Sequence, residues 1–150
     1  MNKILECSSK GDSRFSAFGA YITLFGVYGN IETHYQTAKI FEDGAQFNTW
    51  KEAKQHQKEG HYPVAVRING LDYPATLLSQ FYTLLWLRYF RDKPDLIEYA
   101  KQFDTFNDMF RSKNTVNCQA DVIRKYVKHG ERALLDDCKL LCNLINSQKS

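Results

Sequence analysis

The stretch "TLLSQFYTLLWLRYF", residues 76–90, constrains the fold most. Beginning at Ala75, it predicts a helix whose apolar side chains wrap nearly all the way round. A helix of that kind is stable only with other elements on most of its sides, so it reads as the centre of the protein. The chain has the means to surround it. Of its 150 residues 43% are hydrophobic and 14% aromatic, enough to fill a core without metal or disulfide staples. That length suits one domain, residues 1–150, with 1–12 as an N-terminal segment and 147–150 as a frayed tail.

Local signals supply the elements around that helix. "RFSAFGAYITLFGVY", residues 14–28, is rich in aromatic and β-branched residues and predicts one or two short strands. Asn30 is a good N-cap for a helix starting at Ile31. Thr49 with Glu52 forms a capping-box pattern ahead of a second helix, which Gly60 ends. "YPVAVRINGLDYP" predicts a hairpin turning at Asn69-Gly70. Pro94 suits the first position of a further helix. "FDTFNDMFR", residues 103–111, reads as amphipathic, with Phe103, Phe106 and Phe110 on one face and Asp104, Asn107, Asp108 and Arg111 on the other. Another helix closes at Gly130, and "ERALLDDCKLLCNLIN" predicts the last one. Together these predict an α+β fold, predominantly helical, with a small β-sheet or hairpins.

A net charge of +3, from 20 basic and 17 acidic residues, is too mild to imply nucleic acid by itself. An anionic small ligand stays open, because a local cluster of Lys and Arg matters more than the total. Cys7, Cys118, Cys138 and Cys142 form no CxxC pair and no zinc spacing with histidine, so they read as buried free thiols. Cys138 and Cys142 are four apart and share a helical face. No signal-like segment and no apolar run of about 20 residues is evident, which makes a cytoplasmic location the expectation. His34, His56, His61 and His129 share no ligand spacing, and no phosphate-loop, dinucleotide, zinc-protease or serine-hydrolase motif occurs. Neither a metal nor a cofactor is therefore expected.

Three polar clusters stand out, each with a plain alternative. Glu32, Gln36 and Lys39 lie at i, i+4 and i+7 of the first predicted helix, flanking the apolar stripe of Ile31, Tyr35 and Ala38. Pattern alone fits a solvated face. The same border is where a cleft wall would lie, with Glu32 and Lys39 two turns, or about 10 Å, apart. The polar side of "DTFNDMFR" is the second cluster, and Asn117, Gln119 and Asp121 at a helix start are the third. Free N–H groups there suit a phosphate, or Asn117 simply caps the helix.

"RFSAF" followed by "IETHYQTAKIF" resembles the NADAR (YbiA-like) family, whose members carry an "FSNF"-like element and then "EHYYQAAKF". Matched on "YQTAK", Glu32, Gln36 and Lys39 fall on the family's Glu, Gln and Lys. "LLWLRYFRDKPDLIEYAKQFD" is similar to a later family stretch, and "NCQADVIRKYV" takes the place of its closing motif. The resemblance runs from about residue 14 to 127, and its first motif is the specific one. This chain departs from the family at Ala17, Thr33, His34 and Ala120, and no Trp-Gly pair follows Asp108. It also resembles small bacteriophage proteins.

The resemblance implies binding of an ADP-ribose-type nucleotide and hydrolysis of its N-glycosidic bond, through an oxocarbenium-like transition state. Glu32 is then the carboxylate beside the reacting carbon, with Asp108 as the second. Lys39 balances a diphosphate or activates the leaving group, and Gln36 joins it in holding the ligand. Arg14, Ser16, Asn117 and Gln119 are expected around the phosphates, and Phe18 or Trp86 stacks on a base. The alternative is a phage protein that sequesters an ADP-ribose-derived or cyclic-nucleotide immune signal without turnover. The implied partner is a small nucleotide; nucleic acid enters only as a modified substrate, no membrane is implied, and a homo-oligomer is compatible.

Overall fold

The structure, a computed structural model, describes residues 3–8, 10–107 and 119–147. The elements run β1 (Ile4–Glu6), a 3-10 turn (Ser13–Phe15), β2 (Tyr21–Leu24), β3 (Val27–Asn30), α1 (Ile31–Thr37) and β4 (Lys39–Phe41). Then come α2 (Trp50–Lys58), β5 (Pro63–Ile68), β6 (Leu71–Pro74), a second 3-10 turn (Ala75–Leu77), α3 (Leu78–Arg91) and α4 (Pro94–Ala100). The chain continues with β7 (Thr105–Asn107), α5 (Gln119–His129), α6 (Glu131–Asp137) and α7 (Lys139–Ser147). Helices predominate and the strands form three small sheets, the α+β fold expected.

Helix α3 is the centre. Its residues Leu78, Phe81, Tyr82, Leu85, Trp86, Leu87, Tyr89 and Phe90 are all buried. Helices α1, α4, α5, α6 and α7 pack on it, together with β2. Phe15, from the first 3-10 turn, lies between the rings of Phe90 and Tyr99, with centroids 6.1 and 6.2 Å away. Tyr89 Oη donates to the Arg14 carbonyl at 2.8 Å, which anchors the same turn to α3.

The local start and stop signals act as their chemistry requires. Asn30 Oδ1 accepts from Thr33 N at 2.8 Å, and Thr49 Oγ1 accepts from Glu52 N at 3.2 Å, each satisfying an N–H that a helix start leaves free. Pro94 opens α4. Asn69 and Gly70 take φ of 52° and 81° in the tight turn between β5 and β6, the conformation for which Asn-Gly is favoured. Strand β4 adds to that hairpin in the order β4-β5-β6. The 14–28 segment gives a 3-10 turn and then the β2–β3 hairpin.

Three expectations are corrected. The first helix stops at Thr37 and does not run through Lys39. Residues 39–41 pair with β5, and the Ala38 carbonyl accepts from Arg67 N at 2.8 Å; the ladder replaces the helical bonds the chain would otherwise continue. Second, residues 105–107 of "DTFNDMFR" form strand β7, parallel to β1, with Phe106 buried. Asp104, just before the strand, accepts from Lys3 N through Oδ2 at 3.0 Å, and residues 108–111, Asp108 and Arg111 included, lie outside the described residues. Third, the last predicted helix is two, α6 and α7, broken at Cys138 with φ −112° and ψ 16°. The break turns Leu134, Cys138 and Leu141 inward. Cys138 Sγ lies 3.6 Å from Cys142 Sγ without a disulfide between them, and Cys7 is buried; Cys118 is outside the described residues. Ser147 ends α7, and residues 148–150 lie beyond the described chain.

One close approach holds the loop that leads into β2. A Cβ on Gly19 would come 2.1 Å from the Ser13 carbonyl oxygen, so the loop closes on the 3-10 turn only because that atom is missing. Gly19→Ala is expected to lower the unfolding free energy by about 1–3 kcal/mol, read as a shift of the urea midpoint at unchanged slope.

Candidate functional site

The loop after the 3-10 turn meets the start of α1. The Ala17 carbonyl accepts from Glu32 N at 3.0 Å, and the Ala20 carbonyl accepts from Ile31 N at 2.9 Å. Helix α1 is only seven residues long and depends on its packing, which includes Tyr35 edge-on to Tyr82 of α3 at 5.1 Å. Glu32 and Gln36, one turn apart, are 7% and 6% exposed; Lys39, at the start of β4, is 5% exposed. These three polar groups are inside the protein, where an ordinary surface face would leave them in water.

Helix α2 covers them. Lys54 Nζ is 2.8 Å from Glu32 Oε2, and Lys39 Nζ donates to Gln57 Oε1 at 3.0 Å. Lys39 Nζ also lies over the Tyr35 ring at 4.7 Å. Burial pushes the Lys39 ammonium down to about 8; the negative Glu32 opposes that shift and Lys54 adds to it. Gln36 Oε1 is buried with no hydrogen-bond partner among the described residues. An orphaned amide oxygen is costly, and a ligand donor at that point would satisfy it. Beside Lys54 sit two half-buried aromatics, Phe18 and Trp50, edge to face at 4.9 Å. Lys54 Nζ is 5.5 Å and 5.6 Å from their ring centroids. Phe18, Trp50, Lys54, Glu32, Gln36, Lys39 and Gln57 thus form a chain of contacts and neighbours along the α1–α2 interface.

Sequence reasoning missed Lys54, Gln57 and the placement of Trp50. The signal available was slight: Trp50, Ala53, Lys54 and Gln57 share one face of α2 by helical spacing, and Ala53 is the buried residue of that helix.

The other expected site residues are placed elsewhere or do other work. Trp86, expected to stack on a base, lies in the core. It is fully buried against Phe90 and Tyr89, at 5.4 and 5.6 Å, because α3 turns that face inward. Gln119 is buried as a cross-link: its Oε1 accepts from Ala17 N at 2.7 Å and its Nε2 donates to the Cys7 carbonyl. Arg14 grips Asp12 with two bonds of 2.9 and 2.7 Å and lies over the Tyr99 ring at 4.6 Å. Ser16 is buried and its Oγ accepts from Phe18 N at 3.2 Å, shaping the loop. Asp108 and Asn117 lie outside the described residues. A shallow, open depression of about 440 Å³ on the outer side of α2, around Phe47, Lys51, Gln55 and His56, contains none of the expected residues.

Lys39 binds its proton less tightly in the folded chain than in the unfolded one. Its charge therefore costs stability below about pH 8, and that cost fades as pH rises from 8 toward 10.5. Lys39→Met is expected to raise the unfolding free energy at pH 7 by about 1–2 kcal/mol, with the gain shrinking across that window in urea titrations at stepped pH. Gln119→Leu strands a buried N–H and a carbonyl and is expected to cost about 1–3 kcal/mol by the same measurement.

A family model for DarT1-associated NADAR antitoxins matches residues 1–147. No curated protein matches the chain.

Proposed function

Because the chain belongs to the DarT1-associated NADAR antitoxin family, a branch of a family associated with ADP-ribose-related activity, we propose that it binds an ADP-ribose-type nucleotide along the α1–α2 interface. There it hydrolyses the N-glycosidic bond between that ribose and a nucleobase. As an antitoxin it would in this way strip an ADP-ribose mark from a base. One observation supports this most: Glu32 and Lys39, opposite charges that are both more than nine-tenths buried, lie with the unpartnered Gln36 oxygen on one interface.

In this reading the C1″–N bond breaks with its electron pair leaving on the base nitrogen. The ribose carbon gains positive charge, which the Glu32 carboxylate stabilises at short range in a medium of low dielectric. Water adds its oxygen to C1″ and gives one proton to Glu32. The leaving nitrogen takes a proton from Lys39, whose lowered affinity, about 8, makes it a better acid than an exposed lysine. Lys54, half-exposed, swings from Glu32 to the diphosphate when ligand enters, freeing the carboxylate. Phe18 and Trp50 take the base or the adenine as a stacking edge.

Incubation with an oligonucleotide carrying ADP-ribosylated guanine, then chromatography, tests the proposal. ADP-ribose and intact guanine base are the expected products. Glu32→Gln is expected to lower kcat by about 10²–10⁴-fold with a much smaller change in binding. The rate should fall as pH rises through about 8, a limb that Lys39→Met abolishes along with most of the rate. Parental rates in both variants would reject this site, and recovery of unaltered ligand from denatured protein would show binding without turnover.

A further inference from the structure

Near the C-terminal end of α2, four side chains converge that the proposed reaction does not use. His56 is on α2, His61 follows the Gly60 reversal, and Glu42 and Asp43 follow β4. The rings of His56 and His61 stack face to face, with centroids 3.8 Å apart and an interplanar angle of 1°. His56 Nε2 is 2.8 Å from Asp43 Oδ2, and His61 Nδ1 is 3.6 Å from the same oxygen. His61 Nδ1 also contacts Glu42 Oε1. One donor atom each from Asp43, His56 and His61 lies within 4.8 Å of the others.

The outer atoms of the carboxylates are fixed. Asp43 Oδ1 accepts from Ala45 N at 3.0 Å, and Glu42 Oε2 accepts from Tyr62 N at 3.0 Å. Each carboxylate thus has one oxygen tied to backbone and the other against an imidazole nitrogen, which holds the donor atoms together. His56 is held from behind by the edges of Phe41 and Phe47, at 4.9 and 5.0 Å. A tetrahedral zinc site with bonds of about 2.0–2.2 Å sets its ligand atoms roughly 3.3–3.5 Å apart. The 3.6 Å between His61 and Asp43 matches that spacing, whereas the 2.8 Å contact of His56 with Asp43 is a hydrogen bond that lengthens when an ion replaces the proton, and the stacked rings turn out of parallel so that both lone pairs meet the ion.

We propose that Asp43, His56 and His61 form a binding site for one divalent transition-metal ion, with Glu42 beside His61 as a neighbouring carboxylate and zinc the best match to two imidazoles and a carboxylate. The ion clips the C-terminal end of α2 to the turn after β4. It thereby fixes the helix that carries Lys54 and Gln57. The histidines gave no sign of this in the sequence because their five-residue spacing straddles a helix end.

The test is calorimetric titration of the full chain with Zn²⁺, after chelator stripping and in a non-binding reductant. One equivalent is expected to bind and to raise Tm. Asp43→Asn and His61→Ala, both at accessible positions, are each expected to weaken binding by about tenfold or more and to remove the rise in Tm. The exposed His129→Ala should match the parent. Replacing zinc with cobalt(II) should give a spectrum without thiolate charge-transfer bands. Absence of a stoichiometric site in the parent would overturn the proposal. So would binding that Asp43→Asn and His61→Ala both leave intact, or a thiolate spectrum pointing to Cys138 and Cys142.

Discussion

Burial of α3 is the constraint to which the other elements answer. Its apolar and aromatic side chains occupy most of the circumference, and the free energy of removing them from water is available only if several neighbours pack at once. Short elements benefit most. A seven-residue helix such as α1 has little stability alone, yet Tyr35 against Tyr82 and fully buried Ile31 fix it in place. The 3-10 turn gains the same support through Phe15 and the Tyr89 hydroxyl. Since Glu32 N bonds to the loop behind that turn, core packing reaches the candidate site through two short backbone links.

The second constraint runs the other way, from charge to packing. Taking a carboxylate and an ammonium out of water costs several kcal/mol each unless partners compensate. Glu32 and Lys39 find theirs on α2, in Lys54 and Gln57. Helix α2 buries little apolar surface, with Ala53 its buried residue. Polar contacts at the site and at the Asp43–His56–His61 cluster therefore carry much of its attachment. A helix held in that manner can exchange protein partners for ligand partners with little loss, a useful property for an element that covers buried functional groups.

The α1 and β4 residues of the candidate site were legible in the sequence, but their geometry was not. Glu32, Gln36 and Lys39 were visible because they are close in the chain and match a family motif. The spacing predicted one continuous helix, and the β4–β5 ladder ended it at Thr37. Lys39 still turns inward, now as a strand residue. The surroundings of Trp86 and Gln119 were not visible in the sequence either. An aromatic ring and an amide have the right chemistry for a nucleotide, but α3 faces Trp86 into the core, and Gln119 is consumed in joining Ala17 to Cys7. Strand β7 was misread as part of a helix because Phe103 and Phe106 have helical spacing; its pairing with β1, about a hundred residues earlier, leaves no local trace.

By itself the sequence determined what depends on neighbours in the chain. Asn30 and Thr49 start helices, Asn69-Gly70 makes a turn, Pro94 opens α4, and residues 76–90 must be interior. Each follows from backbone hydrogen-bond supply, allowed dihedral angles or hydrophobic pattern over a few residues. Only the tertiary structure decided which polar groups would lose water together: Glu32 with Lys54, Lys39 with Gln57, and His56 with His61 and Asp43. Those pairings rest on distances across folded space, where Coulomb and desolvation energies are set by burial and separation, and spacing along the chain records neither.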